Sequence, residues 1–145
     1  MSAVKRISAH LAALSLLVGG ISLAATQTAA AGDFGCPGSQ VGSHDIKDDA
    51  GRVWGTLYVY YSSANGGTNC LVNKAVRYYG TPQTIRAFIS GAGKSDNDSK
   101  PDYKYYAGPV SITGTNGHCI TIEGEIVNPA RTEMHSLERN NLYCG

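Results

Sequence analysis

The stretch "RVWGTLYVYYS", Arg52–Ser62, is rich in β-branched and aromatic residues. As an extended chain it sets Val53, Leu57, Val59 and Tyr61 on one face and Trp54, Thr56, Tyr58 and Tyr60 on the other. Both faces carry apolar bulk, which predicts a strand in the interior of its sheet. Directly after it, "SANGGTN", Ser63–Asn69, contains Asn-Gly-Gly, residues that tolerate positive φ and suit a hairpin loop. A second strand pattern follows in "CLVNKAVRYY", Cys70–Tyr79.

Similar patterns extend in both directions. Downstream, "TIRAFISG", Thr84–Gly91, and "HCITIEGEIV", His118–Val127, predict strands; in the latter Ile120, Ile122 and Ile126 alternate with Thr121, Glu123 and Glu125. Upstream, "GSQVGSHDIKDDAG", Gly38–Gly51, holds a short strand before an Asp-Asp-Ala-Gly turn. "MHSLERNNLYCG", Met134–Gly145, holds a last element of weak strand character. In "YKYYAGPVSI", Tyr103–Ile112, Gly108 and Pro109 interrupt the pattern. Proline has no N–H to give and glycine permits a bulge, so this strand kinks, at a point where the chain can pass between sheets. The most polar segment, "AGKSDNDSKPD", Ala92–Asp102, lacks an apolar anchor and is expected to be an exposed, mobile loop. No long segment has a 3.6-residue apolar period, and glycine (18) and tyrosine (9) are abundant. The expected fold is all-β: a small antiparallel sandwich or open barrel of about seven short strands.

The N-terminal segment reads differently. Lys5 and Arg6 precede an apolar run, Leu11–Ala25, and then "TQTAAAGDF" places small residues where a signal peptidase cuts. Residues 1–31 are therefore read as a secretory signal peptide, and 32–145 as a single exported domain. The apolar run is too short and too rich in Ala and Gly for a stable anchor, which needs about 20 predominantly apolar residues. The leader carries two of the 12 Lys and Arg residues and none of the 11 Asp and Glu. The remaining 10 positive against 11 negative charges give a net −1. A nearly neutral chain lacks the basic stripe that nucleic acid requires and the polybasic patch that an anionic membrane surface requires.

Cys36, Cys70, Cys119 and Cys144 all lie in the exported part, and an even count in that compartment predicts two disulfides. There is no Cys-x-x-Cys pair of the kind a zinc module uses. Strand polarity chooses among the three connectivities, because successive antiparallel strands start at alternate poles. Cys36 precedes the first strand and Cys70 opens the third, so they share one pole; Cys119 and Cys144, opening the sixth and closing the seventh, share the other. The expected bridges are Cys36 with Cys70 and Cys119 with Cys144, each contributing roughly 3.5–4 kcal/mol through unfolded-state loop entropy.

No catalytic, cofactor-binding or metal-ligating residue is assigned. Glu123 and Glu125 share a strand face about 6.5–7 Å apart, a spacing compatible with a carboxylate pair, but acids alternating with isoleucines are what a half-solvated strand shows. His44, Asp45, Asp48 and Asp49 lack the ligand spacing of a calcium loop and read as a charged hairpin turn. His118 and His135 come together only if the last two strands pair suitably, and they have no nucleophile beside them. The side chains that invite a binding role are aromatic: Trp54, Tyr58, Tyr60 and Tyr105, with Tyr78 and Tyr79, form either an aromatic face for a polymer or half-buried sheet packing.

An early Cys36, then "DDAGRVWGTLYVYYSSANGGTNC", then "YKYYAGPVSI", then a Gly-x-Cys strand and a closing Cys-Gly resemble the spore-associated protein A family of filamentous sporulating actinomycetes. The resemblance spans the whole exported part. It implies secretion and association with the spore surface, and no catalytic residues. The expectation is a non-enzymatic structural or adhesive component whose partner is a spore-envelope or cell-wall polymer. The alternatives are a glycan-binding module, and an inhibitor of secreted hydrolases that presents Ala92–Asp102.

Overall fold

The expected interior strand is the second of eight among the residues that the computed structural model describes, 32–145. The predicted signal peptide, 1–31, lies outside the described residues. The strands are β1 (Ser39–Lys47), β2 (Val53–Ser62), β3 (Thr68–Ala75), β4 (Gln83–Gly91), β5 (Lys94–Tyr103), β6 (Tyr106–Thr113), β7 (Ile120–Val127) and β8 (Met134–Leu142). They form two four-stranded antiparallel sheets, ordered β1-β2-β3-β6 and β5-β4-β7-β8. Leu57, Val59, Leu71, Ile85, Ile89, Ile122 and Ile126, all fully buried, fill the space between them. Two glycines let the sheets approach. A Cβ on Gly124 would sit 2.5 Å from Leu57 Cδ2, and one on Gly55 would strike Ile126. In the resulting gap Asn73, on β3, reaches across to donate from Nδ2 to the carbonyls of Arg86 (2.8 Å) and Glu125 (3.1 Å) in the other sheet.

The outer face of β2 is apolar because a further segment covers it. Residues 32–38 lie over Tyr60 and Val72, held there by the Cys36–Cys70 disulfide, and Phe34 packs on Tyr58. The second bridge, Cys119–Cys144, spans the ends of the β7–β8 hairpin, so both expected pairings hold.

Their placement does not. Both disulfides lie at the same end of the sandwich, because the segment expected to be a mobile loop is strand β5, and one extra strand reverses every later one. Thus β7 begins near the start of β3, where Gly114 N–H donates to Gly67 O and Tyr61 Oη donates to Asn116 Oδ1. The pairing survives because Cys119 and Cys144 flank one hairpin whichever way it runs.

β5 is polar for a structural reason. It is an edge strand joined to β4 by a two-residue turn, Ala92-Gly93, with both residues at positive φ. Its carboxylates take the place of apolar anchors: Asp96 accepts from Ser111 N–H (2.9 Å) and Asp98 from Gly108 N–H (2.8 Å), satisfying the free edge of β6. Tyr103 Oη donates to both oxygens of Asp98, at 2.6 and 2.7 Å. Burial and this bond push the Tyr103 phenol up to about 12. The chain crosses between sheets at Lys104-Tyr105, ahead of Gly108-Pro109. That pair instead forms a bulge, so that Ala107 and Val110 both face the core.

Candidate functional site: a tyrosine surface at one end of the first sheet

The aromatic residues singled out in the sequence do not share a surface. Trp54 is 0% exposed. It is the extra residue of a bulge, since Ile46 pairs with Gly55 while Lys47 pairs with Val53, and the bulge turns its ring away from the Thr56 face into the core. His135 lies over the ring at 4.2 Å between centroids, Tyr78 meets it edge-on at 5.7 Å, and the Arg77 guanidinium lies 5.1 Å from its centre. Tyr60 is buried beneath residues 32–38, and Tyr58 is half-buried against Phe34. Of the four, only Tyr105 is well exposed, at 48%.

Asp48 closes the Trp54 pocket. Its Oδ2 accepts from Trp54 Nε1 (3.1 Å) and Arg52 Nε (2.6 Å), and its Oδ1 accepts from the backbone N–H groups of Ala50 (3.0 Å) and Arg52 (2.9 Å). Burial alone would raise this carboxyl, but the Trp54 indole N–H, the Arg52 backbone N–H and the Arg52 guanidinium outweigh it and hold it well below the usual carboxylate range. The aspartate of the expected charged turn thus serves the fold, its oxygens already engaged by protein donors. A depressed carboxyl contributes stability above its unfolded value, near pH 4, and loses that contribution as pH falls through its folded value. Asp48→Asn should lower Tm at pH 7 by on the order of 5 °C. Thermal melts from pH 7 to pH 2 should show the gap from wild type closing toward acid; a constant gap would refute the assignment.

The exposed aromatics gather where β3 ends and β6 begins. The rings of Tyr79 and Tyr105 meet at 5.0 Å between centroids with their planes inclined at 58°, and Lys74 Nζ lies 5.7 Å from the centre of the Tyr79 ring. Lys74 and Tyr106 are cross-strand partners on β3 and β6, so their side chains are neighbours on one face. Tyr106 in turn meets Phe34 edge-on at 5.1 Å, which links the group to Tyr58. Val76, half exposed, completes the patch. Two open hollows flank the tyrosine pair. One, of about 310 Å³, is lined by Tyr103, Lys104, Tyr105, Tyr106 and Gly108; the other, of about 350 Å³, by Lys74, Ala75, Val76 and Tyr79.

This exposure has a local cause. The predicted strand Cys70–Tyr79 stops at Ala75, because the N–H groups of Val76 and Arg77 both donate to Trp54 O and Tyr78 turns at φ +58°. Gln83, buried in the core, donates to the carbonyls of Arg77 and Tyr78 and holds the turn that presents Tyr79. Sequence periodicity placed Tyr79 on a strand, set Tyr106 on the opposite strand face from Tyr105, and gave no part to Lys74. The signal that could have found the patch is the "GTP" turn directly after Tyr78-Tyr79, which puts those rings at the end of a strand.

The acids and histidines are dispersed. Glu123 accepts from Arg86 Nη1 at 2.9 Å on the outer face of the second sheet, with Glu125 two residues further along. Asp45 accepts from Thr56 Oγ1. His118 and His135 lie at opposite ends of the β7–β8 hairpin, since antiparallel pairing sets the start of one strand against the end of the other. Among the described residues no helix is long and apolar enough to cross a membrane. No protein-family model, curated protein or solved structure matches the chain.

Proposed function

We propose that the protein is an exported, non-enzymatic adhesion domain of the spore surface, and that it holds an envelope or cell-wall polymer through Tyr79, Tyr105, Tyr106 and Lys74. The observation that carries this reading is the solvent-exposed pair of Tyr79 and Tyr105, their rings in contact at a tilt beside a lysine, presented by a turn that core hydrogen bonds hold in place. Phenol rings offer flat apolar area with a polar rim at low conformational cost, which suits a repeating polymer of sugar rings. Two disulfides agree with an oxidising compartment. The spore as the location rests on the sequence resemblance. Inhibition through Ala92–Asp102 loses its premise, since β5 spans most of that segment and its turn is two residues long.

Retention of the purified, oxidised protein on isolated spore envelopes and on vegetative walls tests the proposal. Tyr79→Ala with Tyr105→Ala should reduce retention on envelopes at least about tenfold, with Tm nearly unchanged because both rings are surface groups. Undiminished retention by this variant, or absence of the wild type from envelopes, would overturn it.

A further inference from the structure

Two lysines border the tyrosine pair. Lys74 lines one of the flanking hollows and Lys104 the other, and no acid lines either. This is an uneven distribution in an exported part that holds fewer Lys and Arg than Asp and Glu. Among the described residues the ion pairs are Lys47 with Asp45, Arg52 with Asp48 and Arg86 with Glu123, so neither lysine has a carboxylate partner. Asp98 is already committed to Tyr103 Oη and the Gly108 N–H. Asp33 and Asp102 belong to neighbouring segments, but neither lines a hollow or pairs with either lysine. Lys100 adds a third cation nearby, its Nζ 5.5 Å from the centre of the Tyr103 ring.

The backbone under these cations is fixed. Lys74 stands in β3 opposite Tyr106 of β6. Lys104 is held through its carbonyl, which accepts from the Gly80 N–H at 2.7 Å, and the Tyr105 carbonyl accepts from the Ala75 N–H at 2.9 Å. These two bonds tie the turn that carries Tyr79 to the segment that carries Lys104 and Tyr105, so rings and cations are positioned together. Like charges gathered without a counter-ion repel one another, and an anionic ligand removes that repulsion.

On the premise that the tyrosine surface holds a polymer, we infer that the polymer is an acidic polysaccharide. Its sugar rings lie on Tyr79 and Tyr105, and carboxylates of the flanking repeats meet Lys74 in one hollow and Lys104 in the other. Charge alone would suit any polyanion, and rings alone any glycan; an aromatic platform between two cations selects the chain that carries both. Lysine suits this role, because a point charge on a flexible stem reaches a carboxylate without requiring bidentate geometry.

Calorimetric titration of the purified, oxidised protein with polygalacturonate, with its fully methyl-esterified form and with poly(glycerol phosphate) tests it. The expected result is saturable binding of polygalacturonate. Binding should be at least about tenfold weaker for the ester, which keeps the rings and loses the charge, and for the phosphate polymer, which keeps the charge and lacks the rings. Lys74→Gln with Lys104→Gln should weaken polygalacturonate binding at least about tenfold with Tm nearly unchanged, and Lys74→Arg with Lys104→Arg should retain it. Raising sodium chloride about tenfold should weaken wild-type binding by a similar factor. Failure to bind polygalacturonate by a protein that envelopes retain, equal binding of the ester, equal or tighter binding of the phosphate polymer, or undiminished binding by the glutamine variant would each overturn the inference and leave tyrosine-dependent retention standing. Absence of the wild type from envelopes would overturn the premise and the inference together.

Discussion

Replacing all four cysteines, as Cys36→Ala, Cys70→Ala, Cys119→Ala and Cys144→Ala, should leave a chain with no cooperative thermal transition above room temperature. The two bridges close loops with sequence separations of 34 and 25 that do not overlap, so their effects on the unfolded chain are close to additive. Each contributes roughly 3.5–4 kcal/mol by loop closure, and their sum of about 7 kcal/mol is comparable to the whole stability of a typical small domain, about 5–15 kcal/mol. Either pair removed alone should lower Tm by on the order of 15 °C. Loss of Cys36–Cys70 should also free residues 32–38 from Tyr60 and Val72, exposing the outer face of β2. Circular-dichroism melts of the oxidised, single-pair and quadruple variants decide the matter. A quadruple variant melting within a few degrees of the wild type would show that the two sheets suffice alone.

Trp54→Ala should destabilise the whole domain rather than blunt a binding surface. The ring is fully buried, bonded to Asp48 and enclosed by His135, Tyr78 and Arg77, and removing a core tryptophan costs about 3–5 kcal/mol. The loss also takes from Asp48 one of the donors that hold its carboxylate. Trp54→Phe keeps most of the volume and should fall between the two. Tyr105→Ala, at an exposed ring, should change stability by less than about 0.5 kcal/mol. Urea unfolding followed by circular dichroism gives the comparison, since Trp54 is the sole tryptophan and its fluorescence is lost in the variants. A stable Trp54→Ala that fails to bind envelopes would return the tryptophan to the surface.

These two expectations mark how far the strand pattern could be followed. Alternation identified β2 as an interior strand and found its neighbours, because a strand with two apolar faces must be covered on both. It misplaced Trp54 because a single inserted residue reverses alternation, and the insertion is defined only by pairing with β1. It took β5 for a loop because a strand is usually recognised by what it buries. Asp96 and Asp98 instead satisfy backbone groups of β6, which a sequence read alone does not place nearby. The tyrosine surface was legible only in part. Tyr79 and Tyr105 were both named, but they join Lys74 and Tyr106 in one patch only when the end of β3 lies beside the start of β6.

Composition and short-range pattern therefore settled the all-β class and the antiparallel hairpins, which depend on near neighbours, and the pairing of Cys119 with Cys144, which flank one hairpin. The eighth strand, the end at which both bridges lie, the inward turn of Trp54 and the tyrosine surface were decided by tertiary structure. Each depends on which strand lies beside which, and that is selected by the packing of two whole sheets against each other rather than by any one segment.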